Sequence, residues 1–511
     1  MPINTDIDAD ADEHSGGAPY FLVRQVDEIL ETSGRAEACF GHELPSDNHD
    51  VVDGVFARWL WDGRRLVVRN DRYGCYPLFW FRLQDGGVCV SPSIEVLIEQ
   101  GAPRDLDTES LAVFFRLGYF VGDDTPFRAI KSVPPHAVFE WENNRLQCRG
   151  RYPATPVVVH HSRDEAIDTY IDLFSRSMAK RTPGTGRCVV PLSGGRDSRH
   201  ILLELHRTGR PPDVCVSALD HPPDPNEDPA IAAQLCKALQ LDCTIVPQQL
   251  PVFSAEWQKN RETNFCTPMH SWYLALSTFV NGRFDYAYDG IGGDVLSQSK
   301  SLNPDMDAVF RSSDVRAICS ALISRQKTSA SVTLSLLKGE LAAARDEGLA
   351  ITRLATEVEK HLDHPNPVGS FMFWNRTRRS IALAPYNMIR GISCVYAPFL
   401  DHELFDYLSS LPVSLLMDHK FHDQTIARAY PSFSDIPYAR NSAPMASNNA
   451  QQARFLAQAA GIFALKRPSR IMKNMVPRAR MLASVCSFGR VNPWVPKSII
   501  YIDQIESMLR R

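Results

Sequence analysis

A short strand-like run, Arg187-Cys188-Val189-Val190-Pro191-Leu192, leads directly into Ser193-Gly194-Gly195-Arg196-Asp197-Ser198 and then into a helix-patterned stretch ending near Arg207. Strand, glycine turn and helix in that order constrain the fold strongly. A strand followed by a crossover helix builds a parallel sheet, and the turn at the strand's carboxyl end lies on the sheet's ligand-binding edge. The two glycines let backbone approach an anion closely, and the helix start offers free N–H groups and a positive dipole end. Ser193 and Ser198 add hydroxyl donors, and Asp197 is placed to hold a magnesium ion bridging phosphate oxygens. No Lys closes the loop, so it is not a Walker A turn.

The surrounding pattern extends the same architecture. Asp164 to Arg181 places Ile167, Tyr170, Ile171, Phe174 and Met178 on one helical face. Asp213 to Leu219 and Cys243 to Val246 read as strands, with a helix near Pro229 to Leu239 between them. Strands alternating with helices predict a doubly wound parallel sheet. Upstream, from Tyr20 to about Trp141, the texture is β-rich, with strand candidates at VFARWLW, RLVVRN, YPLFWFRL and GVCVSP and a helix near Leu106 to Leu117. Arg151 to His161, with Pro153 and Pro156, reads as a linker, and beyond about Val309 the pattern is mainly helical. The fold class expected is therefore α/β: an N-terminal α+β sandwich, then a doubly wound parallel-sheet domain with a helical C-terminal part. The expected boundaries are a disordered tail at 1–17, domains at 18–152 and 162–440, and a basic helical extension at 441–511.

Bulk composition narrows the function classes. The net charge of −4 argues against a nucleic-acid binder. The twelve cysteines include no CxxC pair, against both a zinc site and a disulfide scaffold. They fit a reducing, cytoplasmic setting. The acidic start, MPINTDIDADADEHSGG, lacks the basic and apolar regions of a secretory signal, and no apolar run reaches 18 residues. From Arg440 to Arg511 there are twelve Lys or Arg against two Asp or Glu. Such a run reads as a solvated helical face or as a surface for an anionic partner.

A second glycine-rich loop, Asp289-Gly290-Ile291-Gly292-Gly293-Asp294, follows the strand-like segment Phe284 to Tyr288. Two such loops, each with an Asp, make a plausible pyrophosphate–magnesium site at one sheet edge. With these loops, the chain resembles the asparagine synthetase family. SGGRDS is similar to its SGGxDS loop, DGIGGDVL to its second loop, and Ala397-Pro398-Phe399-Leu400-Asp401-His402 with Leu411-Pro412 to its PFLDH…LP segment. Asn226-Glu227 falls where the family has an acid after its second strand. Asn70-Asp71-Arg72-Tyr73-Gly74 with Pro77-Leu78, Ser93-Ile94-Glu95, and Thr125-Pro126-Phe127 with Pro134-Pro135 are similar to its N-terminal passages.

The resemblance implies a glutaminase-like first domain and an ATP-pyrophosphatase second domain. The latter would adenylate a small-molecule or peptide carboxylate with ATP and Mg2+ and pass it to an amine. It implies phosphate binding by Ser193, Gly194, Gly195, Asp197, Ser198, Gly290, Gly292 and Gly293, and metal binding by Asp197 and Asp294. Asp197, Asp294 and Arg440 are the implied catalytic groups, with Lys420 a weaker stand-in for Arg440. It leaves a homodimer open.

The departures matter as much. The family's nucleophile is a Cys directly after the initiator Met; here position 2 is Pro and the first Cys is Cys39. Glutamine hydrolysis is therefore not expected, and ammonia or a substrate amine would serve. Ile291 and Val295 occupy acidic or Tyr positions of the family's second loop, and the late Lys is missing near Arg440-Asn441-Ser442. Three readings follow: an ammonia-using amide ligase, an intramolecular amide cyclase of the β-lactam synthetase or lasso-peptide cyclase type, and a nucleotide-binding protein without catalysis. Of other candidates, His200 and His206 read as core or surface histidines, Arg196 and Arg199 as phosphate neighbours or solvent-facing. Arg376, Arg378 and Arg379 read as a charged helix face, and Asp401 as a helix-junction residue.

Overall fold

The computed structural model describes residues 17–26, 29–44, 52–150, 152, 155–219, 227–325, 327–439 and 494–510. Residues 1–16 and 440–493, with Arg440 and most of the basic segment, lie outside them. The N-terminal part holds ten strands: β1 (Phe21–Val26), β2 (Ile29–Gly34), β3 (Glu37–Leu44), β4 (Asp53–Trp61), β5 (Arg65–Asn70), β6 (Phe79–Arg82), β7 (Val88–Ser91), β8 (Lys131–Ser132), β9 (Val138–Glu142) and β10 (Arg145–Arg149). They form two antiparallel sheets, ordered β2-β1-β7-β6-β8 and β10-β9-β5-β4-β3. β5 and β9 alternate buried and less buried residues, as one-sided sheets do. Their inward faces meet: Phe21, Val23, Val88 and Val90 of one sheet share a core with Trp59, Val68, Phe139 and Trp141 of the other. The result is the expected sandwich.

The second part is built on β11 (Cys188–Pro191), β12 (Val214–Leu219), β13 (Cys243–Pro247), β14 (Tyr286–Tyr288) and β15 (Cys394–Tyr396). These run in the order β13-β12-β11-β14-β15, and every pairing is parallel. Strand order reverses between β11 and β14, which makes their carboxyl ends the topological switch point. Beyond Val309 the described residues are mainly helical, as expected, and β15 adds three residues to the sheet through pairing with β14. The helix Arg163–Lys180 that precedes β11 opens on a capping box from Ser162 and Glu165. Residues 155–161 carry no regular secondary structure.

The two parts share a continuous core. Tyr73 of the first packs on Phe405 of the second with ring centroids 4.7 Å apart. Buried ions stitch the same seam. Arg181, 1% exposed, donates to both oxygens of Asp53 at 2.8 and 2.9 Å and to Asp401 at 3.0 Å. Arg378 and Arg379 were expected on a charged helix face, yet both are 2% exposed. Arg378 donates to Asp123 at 2.7 Å and to the Gly122 and Val133 carbonyls, and Arg379 to the Asp124 carbonyl. They sit on a wide helix, Met372–Ile381, with i to i+5 hydrogen bonding at Ala382. The helix Trp494–Arg510 buries Ile500, Tyr501, Ile502, Ile505 and Met508 against the rest of the chain. Among the described residues no helix is long and apolar enough to cross a membrane.

Candidate functional site

β11 delivers the first loop to the switch point, and its hydrogen bonds hold it open. The Gly194 N–H donates to Asp228 Oδ1 at 2.8 Å, and its carbonyl accepts from the Ala439 N–H at 2.9 Å. A Cβ at Gly194 would lie 2.7 Å from the Ala439 Cβ, so only glycine fits. Ser193 Oγ accepts from the Gly195 N–H at 3.1 Å and sits 3.3 Å from Ser198 Oγ. Asp197 then opens the helix Asp197–Arg207.

β14 delivers the second loop against the first. Asp289 Oδ1 accepts from the Ile291 N–H at 2.9 Å, and burial pushes its carboxyl up to about 6. Gly292, at φ +94°, turns the chain into the short helix Gly293–Ser297. The Asp294 N–H donates to Asp197 Oδ2 at 3.1 Å. A Cβ on Gly290 would lie 2.5 Å from Asp197 Cβ, and one on Gly293 2.6 Å from Asp197 Cγ and Oδ1. Two glycines of the second loop thus make room for the Asp of the first.

The electrostatics of this junction are unbalanced. Asp197 Oδ1 is buried and accepts no hydrogen bond among the described residues. Burial and the neighbouring Asp294 hold the Asp197 carboxyl well above the usual range. Asp294 is also raised by burial, against the pull of Lys300, Arg196 and Arg376. Crowded carboxylates with an unsatisfied oxygen are the hard donors a divalent cation takes. Asp197 and Asp294 are the residues that could hold one; among the described residues no group of three or more His, Cys, Asp or Glu is placed to hold a metal ion.

The other candidates take the following places. Arg196 pairs with Asp423 and stacks on Tyr438, with 4.6 Å to the ring centroid. Arg199 faces neither phosphate nor solvent: it is buried, donates to the Ile436 and Pro437 carbonyls, and lies 4.0 Å over Tyr438. Asp401 caps the helix His402–Ser410, accepting from the Glu403 and Leu404 N–H groups. Ile291 is buried, and Val295 packs against the same core. Lys420 is exposed, and Arg440 lies outside the described residues.

Three residues at the loops escaped the sequence reading. Asp228, next to the Glu227 singled out there, is the acid that reaches the first loop. Asp289 heads the second loop, its N–H donating to the Tyr396 carbonyl at 2.8 Å and its Oδ2 accepting from the Tyr273 hydroxyl at 3.5 Å. His422 is fully buried, with Nδ1 3.0 Å from Ser297 Oγ and 3.6 Å from Asp197 Oδ1. Its Nε2 lies 3.0 Å from His200 Nδ1. Burial and Arg196 push it down to about 3, so a neutral ring faces Asp197. No local pattern marks His422; only the one-residue offset at Glu227 offered a signal.

In the N-terminal part, burial and Glu43 push the Cys39 thiol up, which keeps it protonated. Comparison with curated proteins finds no match. Among solved structures, the chain is similar to the glutamine phosphoribosylpyrophosphate amidotransferase of B. subtilis complexed with ADP and GMP. That alignment has 11% identity and a TM-score of 0.14, and covers 53% of this chain and 46% of the other. A structure described as the allosteric regulatory enzyme of purine biosynthesis matches at 11% identity and a TM-score of 0.14, covering 53% and 45%. The chain thus spans less than half the length of either protein. Residues 40–152 match the glutamine amidotransferase domain family, so the N-terminal part of this chain is a glutamine amidotransferase-like domain.

Proposed function

We propose that the chain is an ATP-dependent amide-forming ligase: it adenylates a carboxylate by cleaving ATP between the α- and β-phosphates, without hydrolysing glutamine. One observation carries the reading. Two glycine loops, at the carboxyl ends of adjacent central strands, bring Asp197 and Asp294 together, with Gly290 and Gly293 cleared for the Asp197 side chain. The Ser193-to-Ser198 turn and its helix start would cradle the pyrophosphate end of ATP. Asp197 and Asp294 would hold Mg2+, which supplies charge compensation on pyrophosphate when bound. Ser193, Gly195 and Ser198 line the turn with backbone and hydroxyl donors; the neutral His422 holds the Asp197 side of the junction without adding a competing cation. The amine would be ammonia or a group of the substrate itself. Cys39 lies inside β3 and has no free α-amino group to act as its base, which favours that source over glutamine, and the second option would make the product a closed ring.

ATP–pyrophosphate exchange with a panel of carboxylates tests this. Exchange that requires Mg2+ and drops at least a hundredfold in Asp197→Asn is expected. Exchange absent with every acid while ATP still binds would leave a nucleotide-binding protein without catalysis.

A further inference from the structure

Tyr170, His200, Ser297 and His422 meet beside Asp197, and all four are fully buried. They come from four helices: Tyr170 from Arg163–Lys180, His200 from Asp197–Arg207, Ser297 from Gly293–Ser297 and His422 from Phe421–Ala429. Polar groups that deep are costly unless each finds a partner, and here the pairing fixes where the hydrogens sit. Ser297 Oγ lies 2.6 Å from the Gly293 carbonyl, which can only accept, so the hydroxyl hydrogen is spent there. Towards His422 Nδ1, 3.0 Å away, the same oxygen can then only accept, and Nδ1 carries a hydrogen. His422 Nε2 faces His200 Nδ1 at 3.0 Å and the Tyr170 hydroxyl at 3.3 Å. Were Nε2 protonated as well, His200 Nδ1 would have to accept. The hydrogen of His200 would then be stranded on its buried Nε2, which has no partner among the described residues. His422 Nε2 is therefore an acceptor and His200 Nδ1 a donor. Phe174, stacked on the His200 ring with centroids 3.7 Å apart, holds that ring in place.

The chain runs one way: His200 N–H to His422, His422 N–H to Ser297, Ser297 O–H to the Gly293 carbonyl. It begins one helical turn after Asp197 and ends on the residue before Asp294. On its way His422 Nδ1 passes 3.6 Å from Asp197 Oδ1, the oxygen that accepts no hydrogen bond. The His422 N–H is spent on Ser297, so it faces that oxygen without occupying it. The other Asp197 oxygen is held from the second loop, by the Asp294 N–H. We infer that His200, His422 and Ser297 are positioning residues: their one-way chain holds Asp197 and the second glycine loop in register, with Asp197 Oδ1 left open to a cation. The inference rests on the adenylating reading only in taking Asp197 and Asp294 as that cation's ligands. Such a chain acts as a unit. Cutting one link frees the loops, and a second cut has little left to release.

Two readouts on the full chain test it. With isotope-labelled histidine, NMR shows which ring nitrogens carry hydrogen, and the signals missing from His422→Asn identify His422. We expect hydrogen on Nδ1 and none on Nε2. Mn2+ binding, followed by its electron paramagnetic resonance signal, reads the register. Ser297→Ala and His422→Leu should each weaken Mn2+ about tenfold. The double variant should be no more than about twofold weaker than either. His422→Asn, whose amide N–H stands in for the Nδ1 hydrogen, should stay within about threefold of the parent chain. Thermal melts check that the variants fold, and the ring-nitrogen signals of the parent chain need no variant to fold beyond His422→Asn. Hydrogen on Nε2 of His422, unchanged Mn2+ affinity in both single variants, losses that multiply in the double variant, or a His422→Asn loss as large as that of His422→Leu, would overturn the inference. Mn2+ binding that is absent, or that Asp197→Asn leaves untouched, would instead remove the metal reading, and the ring-nitrogen signals would then decide the chain by themselves.

Discussion

The sharpest consequence of the two-loop geometry is the substitution Gly293→Ala. Gly293 lies at the first position of a short helix outside the left-handed region, so an alanine there meets no backbone penalty. The obstacle is space. The new Cβ would sit 2.6 Å from Asp197 Cγ and Oδ1 and 3.0 Å from the Phe399 ring. Carbon atoms pack at about 3.5–4.0 Å, so the Asp197 carboxylate or the whole second loop must shift by about 1 Å. Overpacking of this kind costs roughly 1–3 kcal/mol, a melting shift of only a few degrees in a chain this long. A displacement of about 1 Å at reacting groups costs on the order of a hundredfold in rate. Activity and stability should therefore separate: ATP–pyrophosphate exchange falls about a hundredfold while the thermal midpoint moves by a few degrees. Gly195→Ala supplies the graded comparison, because its Cβ would meet only the rotatable Ser193 hydroxyl, at 3.1 Å. Exchange should fall far less there. Equal exchange in Gly293→Ala and the parent chain would refute the claim that the close seating of Asp197 against the second loop matters.

Other consequences concern the seam and the first domain. Arg181→Met strands Asp53 and weakens the support of Asp401, and should cost roughly 3–5 kcal/mol in urea unfolding, with Asp53→Asn recovering part of it. For Glu357, burial raises the carboxyl, but the His361 hydrogen bond and the Lys360 ammonium outweigh it and hold it at about 2, against an ordinary 4.5. The depressed value means that its stabilisation is complete above about pH 4.5 and is lost as pH falls toward 2. Glu357→Gln should flatten acid unfolding in that window by up to ~3 kcal/mol. Cys39→Ser should leave exchange unchanged, and the parent chain should release no glutamate from glutamine; thiol-dependent glutamate release in an amperometric assay would restore the glutaminase.

What the sequence discloses and what it hides divide along physical lines. The run before Ser193 is apolar from Cys188 to Leu192 because β11 is covered on both faces, and the loop after it is bounded by a helix start; both signals are local. The same holds for RLVVRN, whose alternation is that of a one-sided strand. β15 has no such signal. Cys394–Tyr396 is three residues long and is a strand because β14 pairs with it, a contact made by residues more than a hundred positions apart. Arg378 and Arg379 read as solvated because charge ordinarily is. Their burial depends on Asp123 and carbonyls of the first domain lying opposite them. His422 and Asp228 belong with these: each is set by where a distant helix ends up, not by the residues beside it.

The glutamine amidotransferase-like domain also supports the second part structurally. Arg378, buried from the second part, receives its carbonyl and carboxylate acceptors from Gly122, Asp123 and Val133 of the first. Arg181 is neutralised by Asp53 of the first and Asp401 of the second. Tyr73 fills the aromatic space between Phe373 and Phe405. Removing the domain would strand Arg378, leave Arg181 with Asp401 alone and expose that cluster. The wide helix carrying Arg378 and Arg379 also carries Arg376, so the acceptors in the first domain fix the whole segment Met372–Ile381. The first domain's carbonyls and carboxylates thus set the position of buried arginines that belong to the second.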